Sequence, residues 1–111
     1  AEAQALAASL NALRANSAST ISADLAAEDT PARIADAVAE RHRALDLLVN
    51  NASVFDASPL DHMDVPAWER IQAINLRAPY FLSLTCAPLL RARRGAIVNI
   101  TDIHSERPRA G

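Results

Sequence analysis

Glycine is nearly absent. The 111 residues contain two, Gly95 and Gly111. A complete small α/β domain averages near 7% glycine, and a nucleotide-binding one needs several in its first turn. Part of such a domain is therefore expected to be missing from this segment. Cysteine is scarcer still. Cys86 is alone, inside a helical pattern, so no disulfide framework can form within the chain. A small buried apolar residue is the plainer reading of Cys86, and a reducing, cytoplasmic compartment fits it. Aromatics make up 4%. The formal charge is −2 without a basic stripe, which argues against nucleic acid as a partner. No apolar run approaches the roughly 20 residues of a membrane helix. The N-terminus has no basic head or cleavage site of a secretory leader. Half the residues are hydrophobic and 22% are charged, a globular balance.

Against these absences stands one conspicuous stretch, Leu45 to Phe55. Leu47, Leu48 and Val49 form an unbroken apolar run, as in a parallel strand covered on both faces. The run stops at Asn50-Asn51, then Ala52-Ser53 and Phe55. Ligands of open α/β sheets bind beyond the carboxyl ends of such strands. Carboxamides can pin loop backbone, small residues admit a ligand, and a ring can stack on it. The same residues also suit a plain turn with one loop hydrophobe.

The rest of the chain alternates around this strand. Ala1 to about Ala15 reads as a helix on Leu6, Leu10 and Leu13, followed by an Asn16–Ser19 loop. Thr20 to Leu25 reads as a short strand ending in Asp24-Leu25. Thr30-Pro31 then marks a helix start, with Thr30 as cap and Pro31 at the first position. Ile34, Ala37, Val38 and Arg41 form its stripe. Ala52 to Met63, with Pro59, is a loop. Asp64 caps a long helix beginning near Pro66 and running to about Arg93. Arg91, Arg93 and Arg94 suit the C-terminal end of its dipole. Gly95 ends it, Ala96 to Ile100 is another strand, and a polar loop follows Thr101-Asp102. Strands and helices in this alternation give an α/β fold, a Rossmann-like doubly wound parallel sheet.

A few polar residues break local rules. Trp68, Ile71, Asn75, Ala78 and Leu82 share one helical stripe, apolar except for Asn75. A buried amide without partners costs about 1–3 kcal/mol. Pro79, four residues on, has no N–H for the Asn75 carbonyl. Either a structural water fills a kink there, or the carbonyl holds a water of an active site. Asp102 and Asp24 each end a strand, as ligand contacts or as turn caps. His104 reads as a solvated loop residue. His42 and His62 lack metal-ligand spacing, so no metal is expected.

Together these features resemble the short-chain dehydrogenase/reductase family. The resemblance rests on Asp24-Leu25 after a strand, Asn50-Asn51-Ala52-Ser53 after the next, Asn75 within Ile-Asn-Leu-Arg-Ala-Pro-Tyr-Phe-Leu, and Gly95-Ala-Ile-Val-Asn-Ile-Thr. It covers essentially the whole chain, in order and spacing. Two departures are similar to the pteridine reductases of the family. Ser53 stands where most members have glycine, and Asp102 where most have a catalytic serine.

The resemblance implies an NADPH-dependent reduction of a C=N bond in a pterin or folate-type substrate. Asp24 and Leu25 would hold the adenine, and Asn50 and Ala52 would line the cofactor ribose region. Ser53 would contact cofactor and substrate, and Phe55 would stack the pterin against the nicotinamide. The Asn75 carbonyl would hold the relay water, and Asp102 would work with a tyrosine and a lysine. Residues 1–111 would be the central part of one dinucleotide-binding domain, truncated at both ends and inactive alone. The phosphate-binding turn and the residues choosing NADP over NAD would lie before Ala1. The tyrosine and lysine would begin about four residues beyond Gly111. A homotetramer through the Asp64–Arg93 helix is a further implication. The competing readings are a short-chain carbonyl or alcohol dehydrogenase and a non-catalytic dinucleotide-fold binding module.

The sheet order 3-2-1-4-5-6 makes the three strands here numbers 3, 4 and 5. Leu45–Asn50 and Ala96–Ile100 should then pair in parallel. Thr20–Ala23 should pair with neither, since roughly 14 Å would separate it from the next strand present, at about 4.8 Å per strand.

Overall fold

The computed structural model describes residues 2–55, 64–102 and 107. Ala1, His62, His104 and the loop around Pro59 lie outside the described residues.

Helix α1, Glu2–Leu13, is followed by coil, then α2, Thr30–Arg41, and strand β1, Leu47–Asn50. Helix α3, Val65–Gln72, passes through a π-helical turn, Ala73–Arg77, into α4, Ala78–Arg91. Strand β2, Ala96–Asn99, completes the described elements. β1 and β2 pair in parallel, with Leu47 opposite Ala96 and Asn50 opposite Asn99. Both strands are apolar up to a closing asparagine, and the pairing agrees with the expected strand order.

One long helical span supplies the core. Ala78, Leu82, Cys86 and Leu90 recur every fourth residue along α4 and are all buried. Ala35 of α2 packs on Cys86 and Leu90 from one side, and Leu45 and Leu48 from the other. α4 thus lies between α2 and the sheet. Its N-terminal partner α3 begins as read, with the Asp64 carboxylate accepting from the Ala67 amide at 2.8 Å.

Several expectations are corrected. Residues 20–24 form no strand, because no described strand lies alongside to accept their backbone hydrogen bonds. β1 is covered on one face only: Leu48 packs inward, while Leu47 and Val49 stay about half exposed. α4 covers the inner face, and no described helix packs on the outer one. Thr30 does not cap α2. Asp29 holds the N-cap position without a side-chain bond. Thr30 is 1% exposed, and its hydroxyl donates to the Asp24 carbonyl at 2.6 Å.

Pro79 produces a π turn rather than a simple kink. The Ala78 amide bonds the Ala73 carbonyl, five residues back. The ring of a proline collides with the carbonyl four residues earlier, here that of Asn75. One extra residue in the turn widens it and relieves the collision. Asn75 is exposed rather than buried, because the extra residue takes it off the stripe that α4 continues.

α4 ends in a Schellman motif. The Gly95 amide bonds the Leu90 carbonyl at 2.8 Å, and the Arg94 amide bonds that of Arg91 at 3.3 Å. The left-handed residue is Arg94, with φ 53°. Gly95 serves another need: a Cβ there would sit 2.6 Å from the Leu45 carbonyl oxygen.

α1 packs against no other described helix or strand. Its Leu6, Leu10 and Leu13 stripe is exposed. The helix is tied instead to its own following loop, where the Asn11 side chain both donates to and accepts from Ala18.

Candidate functional site

The carboxyl ends of β1 and β2 open into a cleft of about 920 Å³. Its floor is the strand ends and the Asn51–Phe55 loop. Its wall comes from the π turn and the first turns of α4, through Asn75, Pro79, Tyr80 and Ser83. A parallel pair forces this placement, since both strands end at the same edge and both following loops start there.

A carboxamide pair fixes the floor. Asn50 and Asn99 face each other across the ladder, and the Asn50 Nδ2 donates to Asn99 Oδ1 at 2.8 Å. The same nitrogen lies 3.4 Å from the Ser83 hydroxyl. That hydroxyl donates to the Pro79 carbonyl at 2.7 Å, four residues back. The strand ends are thereby linked to the helix just past the proline. The sequence reading did not assign Asn99 or Ser83 to the site. The visible signal for Asn99 was that, like Asn50, it closes an apolar strand.

Asn75 clamps the loop. Its Oδ1 accepts from the Val54 amide at 2.9 Å, and its Nδ2 donates to the Val54 carbonyl at 2.8 Å. The side chain imitates a neighbouring strand and holds the backbone between Ser53 and Phe55. The side-chain amide therefore has two partners of its own. Phe55, held beside the clamp, is 67% exposed and lines the cleft.

Of the residues singled out from sequence, Asn50, Ala52, Ser53, Phe55, Asn75 and Asp102 all line this cleft. Asp24 and Leu25 do not. They sit in the turn before α2, where Asp24 Oδ1 accepts from the Ala26 amide at 2.9 Å. Among the described residues, no three His, Cys, Asp or Glu side chains gather as a metal site would require. Cys86 lies outside the cleft, buried in the core, and burial pushes its thiol above its ordinary value.

A family profile described as short chain dehydrogenase matches residues 1–111. Galactitol 2-dehydrogenase of Agrobacterium fabrum is 35% identical over 71 residues, 62% of this chain and 28% of that enzyme. A metagenomic short-chain oxidoreductase solved in complex with NADP superposes with a TM-score of 0.85 at 35% identity. The match covers 96% of this chain and 49% of that one. A short chain dehydrogenase from Burkholderia cenocepacia, also in complex with NADP, superposes at 0.88 and 33% identity, covering 96% and 43%. The chain therefore spans about half the length of these solved relatives. It matches them throughout its own length, with its cleft at the strand ends: the chain belongs to the short-chain dehydrogenase family.

Proposed function

We propose that this chain is the central part of an NAD(P)(H)-dependent oxidoreductase that interconverts an alcohol and a carbonyl. The observation that carries the reading is the cleft at the carboxyl ends of β1 and β2, in a chain that superposes on two relatives solved with NADP. Relatedness to an enzyme named for a polyol, galactitol, supports the alcohol as substrate class.

The residues of the cleft suit a nicotinamide cofactor. Ala52 and Ser53 offer no bulk at the end of β1, so a flat ring and its ribose can approach the backbone there. NADPH would supply the hydride, and the protein would supply orientation. Asn50 is already held by Asn99 and Ser83, so the loop beyond it needs no reordering to receive a ligand. Asn75 keeps Val54 in place and with it the directions of Ser53 and Phe55. Asp24 and Leu25, outside the cleft, would take the adenine.

A second reading is favoured by Phe55, Ser53 and Asp102 lining the same cleft. In it the substrate is a pterin, stacked on the exposed Phe55 ring. Asp102, where most members of the family carry a serine, would help move a proton to the ring nitrogen. The half-exposed Phe81 and Leu84 of α4 suit a homotetramer in either case, and a buried thiol suits a reducing cytoplasm.

The test is to express the full-length protein of the gene and follow nicotinamide absorbance. A panel of polyols and ketones should turn over, and Phe55→Ala should change their rates little. Turnover of dihydropterin instead, lost on Phe55→Ala, would favour the second reading. NADPH binding without turnover of either class would leave only a binding module.

A further inference from the structure

The π turn sends two polar side chains to two different loops. Asn75 goes to Val54, beyond β1. Arg77, two residues later, goes the other way. Its guanidinium donates to the Ala26 carbonyl at 2.5 Å, across 51 residues of sequence, and lies 3.6 Å from the Glu28 carboxylate. The Glu28 side chain is almost fully exposed, so that ion pair contributes little. The bond to the carbonyl is charge-assisted and partly buried, and is the stronger tie.

Ala26 belongs to a turn that is already stiff within itself. The Asp24 carboxylate accepts from the Ala26 amide. The Asp24 carbonyl accepts from the Ala27 amide and from the buried Thr30 hydroxyl. At its far end the turn is joined to α4 through Thr30 and through the Thr85 hydroxyl, which donates to the Pro31 carbonyl at 3.3 Å. Arg77 adds the tie to the π turn, beside the cleft. A widened turn next to Pro79 thus acts as a bracket, with the Asn51–Phe55 loop on one arm and the Asp24–Glu28 turn on the other.

We propose that Arg77 is a positioning residue for the adenine end of the cofactor site. It sets the distance between the turn bearing Asp24 and Leu25 and the loop bearing Ser53 and Phe55. This rests on the reading that those two segments receive opposite ends of one dinucleotide. An extended ligand gripped at both ends binds best when the two grips are held at the right separation beforehand. Freeing the turn loosens the spacing between the grips, while each grip, held by its own bonds, stays as it is.

The experiment uses the full-length protein and titrates three probes: NADPH, an adenosine bisphosphate matching its adenine half, and reduced nicotinamide mononucleotide. Arg77→Gln should weaken NADPH by about 5- to 10-fold and leave the adenosine probe, which uses one grip only, as in the parent. The mononucleotide affinity, and kcat at saturating NADPH, should stay as in the parent. Arg77→Lys keeps the charge and one donor and should recover part of the loss. Weakening of either half-ligand to the same extent as NADPH, loss of kcat at unchanged affinity, or no change at all would overturn the proposal. If Arg77→Gln does not fold, Arg77→Lys alone decides, by the same split between NADPH and its halves. Asp24→Ala separates the two levels of the argument. If it leaves the adenosine probe unaffected, the adenine placement itself is wrong and the proposal falls with it. If it weakens the probe while the Arg77 variants bind NADPH as the parent does, the placement stands and only the role of Arg77 fails.

Discussion

Gly95→Ala should be among the most damaging single-atom additions this chain can receive. The new Cβ would sit 2.6 Å from the Leu45 carbonyl oxygen, 2.8 Å from that of Asp46 and 2.9 Å from Leu90 Cδ2. Leu90 could adjust its side chain. The two oxygens are backbone and must retreat by roughly half an ångström or more to regain van der Waals separation. Asp46 cannot retreat freely, because its carbonyl accepts from the Ala96 amide at 3.0 Å, just before the β1–β2 ladder begins. Overpacking of this kind costs about 1–3 kcal/mol, and weakening the bond adds up to about 1 kcal/mol. The reduced entropy of the unfolded chain returns only about 0.4–1 kcal/mol. The net loss is centred on about 2 kcal/mol, or a fall in Tm of about 8 °C at this chain length. Thermal unfolding followed by circular dichroism measures it. Arg94→Gly, one residue earlier, is the matched control, since it removes a left-handed strain and should raise Tm by a few degrees. A Gly95→Ala protein that melts with the parent would refute the close approach of the α4–β2 turn to the segment leading into β1.

Other expectations follow from single contacts. Asn75→Ala removes both bonds to Val54 and should cost about 1–2 kcal/mol; faster hydrogen exchange at the Val54 amide would be its signature, and an unchanged rate would count against the clamp. Asp64→Ala removes the cap on α3 and should cost about 1 kcal/mol in denaturant titration. Cys86 gives a pH dependence whose sign is fixed by burial. The folded thiol ionises above its ordinary value of 9.0, so the unfolded chain loses its proton first. Its contribution is fully present below that value and fades as pH rises past it toward the folded pKa. Cys86→Ala should flatten that alkaline decline, and an identical decline in the variant would assign it to other groups.

The parallel pair was legible because the apolar runs Leu47–Val49 and Ala96–Val98 each end in an asparagine and are joined by a long helical span. The buried row Ala78, Leu82, Cys86, Leu90 was partly legible for the same reason of regular spacing. The stripe failed where it was extended back to Trp68, Ile71 and Asn75. A single extra residue in the π turn rotates everything before it by about 100° relative to α4, so a helical wheel drawn through both halves joins residues of different faces. Pro79 pointed to the disturbance but not to its form. The Asn50–Asn99 link needed the register of two strands, and the Arg77–Ala26 bond needed the fold, since no local pattern connects positions 51 residues apart. Thr20–Leu25 read as a strand on composition, yet a strand exists only beside a partner.

The two-stranded sheet has a practical consequence for the chain in solution. β1 and β2 pair with each other and, among the described residues, with nothing else. Each offers an open outer edge, flanked by the half-exposed side chains of Leu47, Val49, Ile97 and Val98. An apolar strand with free backbone groups is a template for further strands. Concentrated samples of the 111 residues should therefore scatter light increasingly with time, through growth along the sheet rather than through unfolding. Supplying a strand that completes either edge should restore clear solutions.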